Sequence, residues 1–427
     1  MKINPKKSLK GEITPPSDKS ISHRGVMLGA VSEGRTVIKN ILLSDDVRST
    51  ISCFKQMGVD ILIDEEKSMV TVYGAGLYGL KAPKDPLYAG NSGTTTRLLS
   101  GILTGQSFPS EIFGDSSLNT RPMKRIIDPL TMMGADIVSK NNNGTCPLVI
   151  SPSSLHGIDF LSPLASAQVK SCILLSGLYA DSPTSVTEPS ISRDHTERML
   201  PAFGADIKIN GNKVTVFPQR SLHGIEMTVP SDISSAAYFI AAALITKDSE
   251  ILIRNVGINP TRAGIIDVAR RMGGNITLLN EREISGEPIA DILAKSSELN
   301  GTLVGGDEIP TLIDEIPVIA ILAAHADGQT VIKNASDLKA KETDRIFTVS
   351  ENLKKMGALV TPTDDGMIID GTKSLSGAVI DSYNDHRIAM AFSIAALNAK
   401  GTTEILRSSC ASVSYPGFYE DLESLQK

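Results

Sequence analysis

Six times along the chain a polar residue opens a run that is apolar nearly all round. The runs start near Ser20, Thr94, Ser166, Ser234, Asp314 and Asp385, at intervals of 68 to 80 residues. A surface helix shows a polar stripe, so runs without one predict helices enclosed by other elements. A second, amphipathic helix is predicted in five of the six units, each ending in Met or Phe followed by Gly: Met57-Gly58, Met133-Gly134, Phe203-Gly204, Met272-Gly273 and Met356-Gly357. In the first of these Ser44 stands at the cap and Val47, Ile51 and Phe54 line one face. In the last, Ile346, Val349, Leu353 and Met356 do so. Glycine is the natural left-handed stop after a helix. Val59–Ile63, Ala135–Val138, Thr36–Asn40 and its near copy Thr330–Asn334 read as strands. The expected unit therefore mixes two helices with several strands and occurs six times.

A longer repeat lies over the short one, since Pro16-Ser17-Asp18 returns as Pro230-Ser231-Asp232, half a chain later. The first follows a short strand-like Lys10–Thr14. This predicts two domains of three units, residues 18–230 in one and residues 1–17 with 231–427 in the other, joined by crossovers near 14–18 and 228–232. Two crossovers without a long linker predict a hinge, with ligand bound between the domains.

Composition narrows the class. At 427 residues and 41% hydrophobic content the chain can bury two cores, because single cores stop growing at roughly 250–300 residues. Cys53, Cys146, Cys172 and Cys410 lie far apart with no C-x-x-C, which suggests neither a zinc site nor a disulfide framework and fits a reducing cytoplasm. The first residues lack the apolar stretch of a signal peptide, and no run approaches the ~20 residues of a membrane span. A net charge of −6 argues against a nucleic-acid partner. Bases gathered in one place would then serve a small anion.

Such bases stand at the starts of the buried helices. Pro16-Ser17-Asp18-Lys19-Ser20 through Arg24 puts two cations at a capped helix start, whose free N–H groups favour an anion. Gly90-Asn91-Ser92-Gly93-Thr94 allows close backbone approach, although a simple turn explains it too. Arg121 precedes a helix, with Lys124 and Arg125 as ordinary surface bases. Ser166-Ala167-Gln168 offers small polar groups at a helix start where capping accounts for Ser166 but not for Gln168. Arg193 is explained equally by a surface pair with Asp194. In the second half Asp314 stands at a helix start that favours negative charge, with an N-cap as the default reading. Lys339–Arg345 alternates charges as a solvated run does. Asn384-Asp385-His386-Arg387 opens the last buried helix. Nearly every helix start carries such groups, so they are expected to converge on one cavity lined by Lys19, Arg24, Arg121, Arg193, Lys341, Arg345 and Arg387, set against Asp314 and Glu342. That many cations imply a substrate with phosphates and carboxylates, and the two acids imply proton transfer.

Together Ser17–Arg24, Gly90–Thr94, Arg121-Pro-Met, Lys341–Arg345 and Asp385–Met390 resemble, in order and over nearly the whole chain, the motif set of the 5-enolpyruvylshikimate-3-phosphate synthase family. The resemblance implies an α/β fold of two domains in the inside-out barrel arrangement of the enolpyruvyl transferases, with six βαβαββ repeats, three per domain. It implies transfer of the enolpyruvyl group of phosphoenolpyruvate to the 5-hydroxyl of shikimate 3-phosphate, with no metal or organic cofactor. The expected chain is a cytoplasmic monomer acting on small molecules, with neither nucleic acid nor membrane as partner. By the same resemblance Lys19, Ser20, Arg24, Ser166, Ala167, Gln168, Arg193 and Lys341 are expected at shikimate 3-phosphate. Lys19, Asn91, Gly93, Arg121, Gln168, Arg345 and Arg387 are expected at phosphoenolpyruvate or beside it. Asp314 is expected as the base for the 5-hydroxyl, Glu342 as the acid toward the methylene carbon, and His386 as a further proton-handling candidate. Arg193 stands where enteric-type members have a tyrosine motif, and Ser412–Pro416 lacks the lysine those members carry. Two rivals are a UDP-sugar enolpyruvyl transferase, whose reactive cysteine loop has no counterpart in Ser117–Arg121, and a non-catalytic polyanion binder.

Overall fold

The computed structural model describes residues 1–372 and 374–425. The chain divides into two compact units, one of Ser17–Val229 with Ile284–Gly286, the other of Met1–Pro16, Pro230–Glu283 and Glu287–Lys427. They are called here the first and the second unit. Residues 426 and 427, the end of the expected second domain, lie outside the described residues.

The repeat is built outward from its buried helix. Lys19–Ala30, Gly93–Leu103 and Ala167–Gly177 are the inner helices of the first unit, and Ile233–Ile245, Ile316–His325 and His386–Ala396 those of the second. Among the thirteen residues of Ile233–Ile245, Ile233 through Leu244 are all buried, including four serine and tyrosine or phenylalanine side chains. Side chains enclosed on every side leave no room for a polar stripe, which is what the apolar runs demanded. Two inner helices of the first unit approach so closely that a Cβ on Gly101 would lie 2.3 Å from the Cys172 carbonyl oxygen, so only glycine fits there.

Small sheets cover the helices, giving the inside-out α/β arrangement. Leu87–Tyr88, Ser110–Phe113, Leu148–Ser151 and Asp136–Ser139 form one sheet in that spatial order, parallel in the first pair and antiparallel in the next two. In chain order, with its two helices, this is one complete βαβαββ unit. The first unit's opening repeat takes its parallel strand from the far end, Glu226–Thr228 beside Glu33–Lys39. The second unit's opening repeat takes Lys10–Ile13 beside Glu250–Gly257. Each unit's first sheet is thus completed by a strand remote in sequence. The sixth repeat is shorter, with Val379–Asp381 and Thr403–Leu406 joined by Lys2–Ile3 in a three-stranded sheet.

The amphipathic helices occur at Asp45–Gln56, Lys124–Met132, His195–Ala202, Gly264–Arg271 and Arg345–Lys355. Each ends on the Met or Phe named above, and the glycine that follows has φ between 85° and 97°, where a side chain would be strained. Ser44 occupies the cap position, but its side chain makes no cap bond; Asp45 and Asp46 lie in the first turn, where negative charge is favoured. All four cysteines are free. Among the described residues, no helix is long and apolar enough to cross a membrane.

Candidate active site

In the first unit the polar groups gather at the N-termini of the three inner helices. Asp18 caps Lys19–Ala30 by accepting the Ile21 N–H at 2.8 Å, which leaves Lys19 as the first helical residue, and its Nζ donates to Asp46 Oδ2 at 3.0 Å. Arg24, one turn on, faces inward. Its Nε donates to Thr196 Oγ1 at 2.7 Å, its Nη2 to Ser171 Oγ at 2.9 Å and its Nη1 to the Ser20 carbonyl at 3.0 Å. A guanidinium fixed this way braces the helix start that carries Lys19 and Ser20.

Ser92 caps the second inner helix through the Thr95 N–H, and places Gly93 at the first helical position. Arg121 Nη2 donates to the Asn91 side-chain oxygen, and the Asn91 amide donates to Asp115 Oδ2 at 2.7 Å. Gln168 is oriented from both ends: its oxygen accepts from Arg97 Nη1 at 2.5 Å and its nitrogen donates to Thr94 Oγ1 at 3.0 Å. Ser166 sits at the N-cap of the third inner helix without a cap bond from its side chain. Its backbone N–H instead donates to Glu188 Oε1 at 2.6 Å. Ala167 is the first helical residue, and half-buried Arg193 lies just before the His195–Ala202 helix. The Asp194 carboxylate accepts from Arg198 Nε at 2.9 Å.

The second unit holds its charges differently. Arg345 is 1% exposed and reaches three carboxylates: Asp385 Oδ2 at 2.8 Å from Nε, Glu342 Oε2 at 2.6 Å from Nη2, and Asp314 Oδ1 at 3.4 Å from Nη1. Burial works against its charge, but Asp385, Glu342 and Asp314 outweigh burial and raise its pKa above the ordinary arginine value. Asp314 also accepts from Lys341 Nζ at 3.1 Å, and Arg387 Nη2 lies 3.8 Å from its other oxygen. Burial likewise opposes the charge of Arg387, and Asp314 leads the groups that raise it. Arg387 Nη1 lies 3.5 Å from Glu315 Oε1, which accepts the hydroxyl of Ser234. Arg262 Nη2 donates to that hydroxyl at 2.8 Å and to Asp232 at 2.9 Å. His386 is the buried first residue of the last inner helix, whose cap, Asp385, accepts the Arg387 N–H at 2.9 Å.

These bonds bear on two sequence readings. Asp314 is not the cap of Ile316–His325, since Glu315 holds that position; Asp314 is a bridge among three cations. Lys339–Arg345 is a solvated run only in part: Lys339 and Asp344 are exposed, but Lys341, Glu342 and Arg345 are engaged with Asp314 or with one another. Asp314 and Glu342 stay 13% and 27% exposed while Asp385 is fully covered. Two carboxylates of the three on Arg345 can therefore meet a ligand. Among the described residues, no group of three or more His, Cys, Asp or Glu side chains is placed to hold a metal ion.

The family model of EPSP synthase (3-phosphoshikimate 1-carboxyvinyltransferase) matches residues 3–422. The chain is 52% identical over 425 residues to a 3-phosphoshikimate 1-carboxyvinyltransferase of Thermoanaerobacter sp. (strain X514), covering 100% of both chains. It is 52% identical over 427 residues to the one of Brevibacillus brevis, again covering 100% of both. A solved EPSP synthase from Acinetobacter baumannii superposes with a TM-score of 0.89 at 47% identity, over 100% of this chain and 98% of that one.

The chain belongs to the EPSP synthase family.

For an EPSP synthase family member, the motifs named from sequence are thus positioned by partners that carried no motif. Asp46 holds Lys19 and Arg97 orients Gln168, whereas Arg345 is anchored from within another motif, by Asp385. Glu188 with Lys170, and Glu315 with Arg387, are further partners outside the motifs. A signal for some of these was present: Arg97 and Lys170 are single cations inside runs apolar all round, a position where a charge needs a buried partner.

Proposed function

We propose that this chain transfers the enolpyruvyl group of phosphoenolpyruvate to the 5-hydroxyl of shikimate 3-phosphate and releases inorganic phosphate. The observation that carries this reading is the pair of partly exposed carboxylates, Asp314 and Glu342, both held by Arg345 in a chain whose whole length matches the family. A polyanion binder needs cations but has no use for two oriented acids.

In the addition step the 5-hydroxyl oxygen bonds to C2 of phosphoenolpyruvate, Asp314 takes the hydroxyl proton, and Glu342 delivers a proton to the methylene carbon, making it a methyl. In the elimination step the C2–O bond to phosphate breaks, phosphate leaves with the electron pair and takes up the proton that Asp314 gained, and the methyl returns a proton to Glu342, restoring the double bond and both starting protonation states. Arg345 holds Glu342 and Lys341 holds Asp314 through both steps, so neither acid spends entropy finding its place. Lys19, Ser20, Ser166, Ala167, Gln168, Arg193 and Lys341 serve shikimate 3-phosphate, with Arg24 bracing the first helix start. Lys19, Asn91, Gly93, Arg121, Gln168 and Arg387 serve phosphoenolpyruvate, and His386 lies next to Arg387 as a second proton-handling group. The reading includes a monomer in the cytoplasm that works without nucleic acid or membrane. Phosphate release measured with phosphoenolpyruvate and either shikimate 3-phosphate or a UDP-sugar tests it. Release with shikimate 3-phosphate alone is expected; release only with the UDP-sugar, or with neither, would overturn it.

A further inference from the structure

Behind Ser166 and Arg193 lies a group of buried charges that no step above uses. Lys170, one turn into the third inner helix, is 4% exposed, and Glu188 and Glu197 are 2% exposed. Lys170 Nζ lies 2.8 Å from Glu188 Oε2 and 2.7 Å from Glu197 Oε1, and donates to the Ser192 carbonyl at 3.3 Å. Burial alone would drive Lys170 toward neutrality, yet Glu197 and Glu188 more than reverse it, and the lysine keeps its charge. Burying ions is costly unless they are paired and hydrogen-bonded. One carboxylate would neutralise one ammonium, so the second needs another explanation.

Its other contacts supply one. Glu188 Oε1 accepts the Ser166 backbone N–H at 2.6 Å, and both of its oxygens accept the Ser192 hydroxyl, at 2.8 and 2.7 Å. Ser166 opens the helix that carries Ala167 and Gln168, and Ser192 is the residue before Arg193. Arg24 ties the same two segments about one helical turn further along each, through Ser171 and Thr196, whose hydroxyls lie 2.7 Å apart.

We infer that Glu188, held in place by Lys170, is a positioning residue for shikimate 3-phosphate: one carboxylate sets the backbone at Ser166 and the loop at Ser192, and so fixes Ser166, Gln168 and Arg193 relative to one another. This rests on the reading of those three residues given under Proposed function. Arg121 and Asn91 are tied elsewhere, to each other and to Asp115, and the Gln168 amide, which serves both substrates, is oriented separately by Arg97 and Thr94, so phosphoenolpyruvate should feel the network less.

The test is steady-state kinetics of Glu188→Gln and Ser192→Ala, with each substrate varied in turn and thermal unfolding in parallel. Glu188→Gln leaves Lys170 balanced by Glu197. It should raise KM for shikimate 3-phosphate roughly ten- to a hundred-fold, the range for losing a hydrogen bond to a charged group, with KM for phosphoenolpyruvate moving about two-fold or less. Glu188→Asp, which keeps the charge, should recover part of that loss. Ser192→Ala removes one donor without touching the ion pairs and should raise the same KM a few-fold at nearly wild-type stability. A purely structural network would instead lower the unfolding temperature and the active fraction while leaving both KM values where they were, and that result would overturn the inference. Should Glu188→Gln fail to fold, an unmoved KM in Ser192→Ala overturns it as well. Absence of turnover in the wild-type enzyme would sink the functional reading and this inference with it; turnover with an unmoved KM sinks only the inference.

Discussion

Lys170 in the first unit and Arg345 in the second are both buried cations among carboxylates, but their anions face different ways. Around Lys170 the carboxylates are as buried as the lysine, 2% exposed each, and Glu188 turns its remaining capacity onto a backbone N–H and a hydroxyl of the protein itself. Around Arg345 only Asp385 is fully buried, and the other two carboxylates reach toward solvent, Glu342 to 27% and Asp314 to 13%. The same expensive device, an ion removed from water and compensated in place, therefore does two jobs. In the first unit it fixes the chain. In the second it presents acids.

The largest effect on the chemical step therefore belongs to Glu342. Glu342→Gln keeps an oxygen that can accept from Arg345 Nη2 but cannot cycle a proton. Turnover should fall ~10²–10⁴-fold, the range for losing a general acid, while affinity for shikimate 3-phosphate is nearly kept. At equilibrium in D2O the wild-type enzyme should place deuterium in the vinyl CH2 of product and of recovered phosphoenolpyruvate, and the variant should not. Exchange at the wild-type rate would move the role of carbon acid to Lys19 or His386.

Next in size is Arg345→Met. It leaves Asp385 buried without its guanidinium and should cost about 3–5 kcal/mol of stability, as removing one partner of a buried pair does. Denaturant unfolding reads this directly. Because Glu342 and Asp314 lose their holder too, the residual turnover of folded protein should fall with it, which separates Arg345 from Glu188, where KM carries the loss. A variant that is stable and fully active would mean that the acids are held by Lys341 and Arg387 alone.

How much of this was legible depends on how local the physics is. Enclosed helices and their glycine stops are set within a turn or two, so the runs from Ser20 to Asp385 and the stops at Gly58 through Gly357 could be read directly. Strand pairing is not local: that Glu226–Thr228 lies beside Glu33–Lys39 leaves no trace in either segment. The site divides the same way. Lys19, Arg121 and Asp314 stand at or beside helix starts where their chemistry is visible. Arg345 is buried only because Asp385 lies forty residues away in sequence and beside it in space, so its run looked solvated. Glu188 carries no pattern of its own, and its partners Ser166 and Lys170 come from the preceding helix.

His23 sharpens the comparison further, since it is a buried titratable group that gives up its charge. Burial pushes its pKa down to about 3, against a smaller upward pull from Asp46. Lys170 keeps its proton because two carboxylates touch it; His23 Nδ1 meets only the hydroxyl of Thr50, at 2.7 Å. Its folded pKa lies below the unfolded value near 6.5, so the unfolded chain binds the proton first. The stability this contributes is complete above about pH 6.5 and is lost as pH falls toward 3, by up to about 1.4 kcal/mol per pH unit. Denaturant midpoints at pH 7.5 and 5.0 should therefore fall more steeply for wild type than for His23→Gln. Equal slopes would mean that the imidazole is charged in the folded protein.

The smallest effect expected is that of Gly93→Ala, which asks whether an arginine held by a neutral oxygen yields where one held by carboxylates would not. A Cβ at position 93 would lie 2.9 Å from Arg97 Nη1 and 3.6 Å from Arg121 Nη1. The nearer atom is the far end of a flexible side chain, so the clash can be relieved by a shift of a few tenths of an ångström. That same nitrogen donates to Gln168 Oε1, however, so the shift is passed to an amide assigned to both substrates. Alanine also suits the first turn of a helix better than glycine, and fold stability should be unchanged or slightly higher. The expected outcome is a rise of a few-fold in KM for phosphoenolpyruvate with kcat little altered. Because the effect travels through Gln168, the double variant Gly93→Ala with Gln168→Ala should lose less than the two single losses added together. Strict additivity would show that the methyl group acts on phosphoenolpyruvate directly and that Arg97 absorbs the displacement without passing it on.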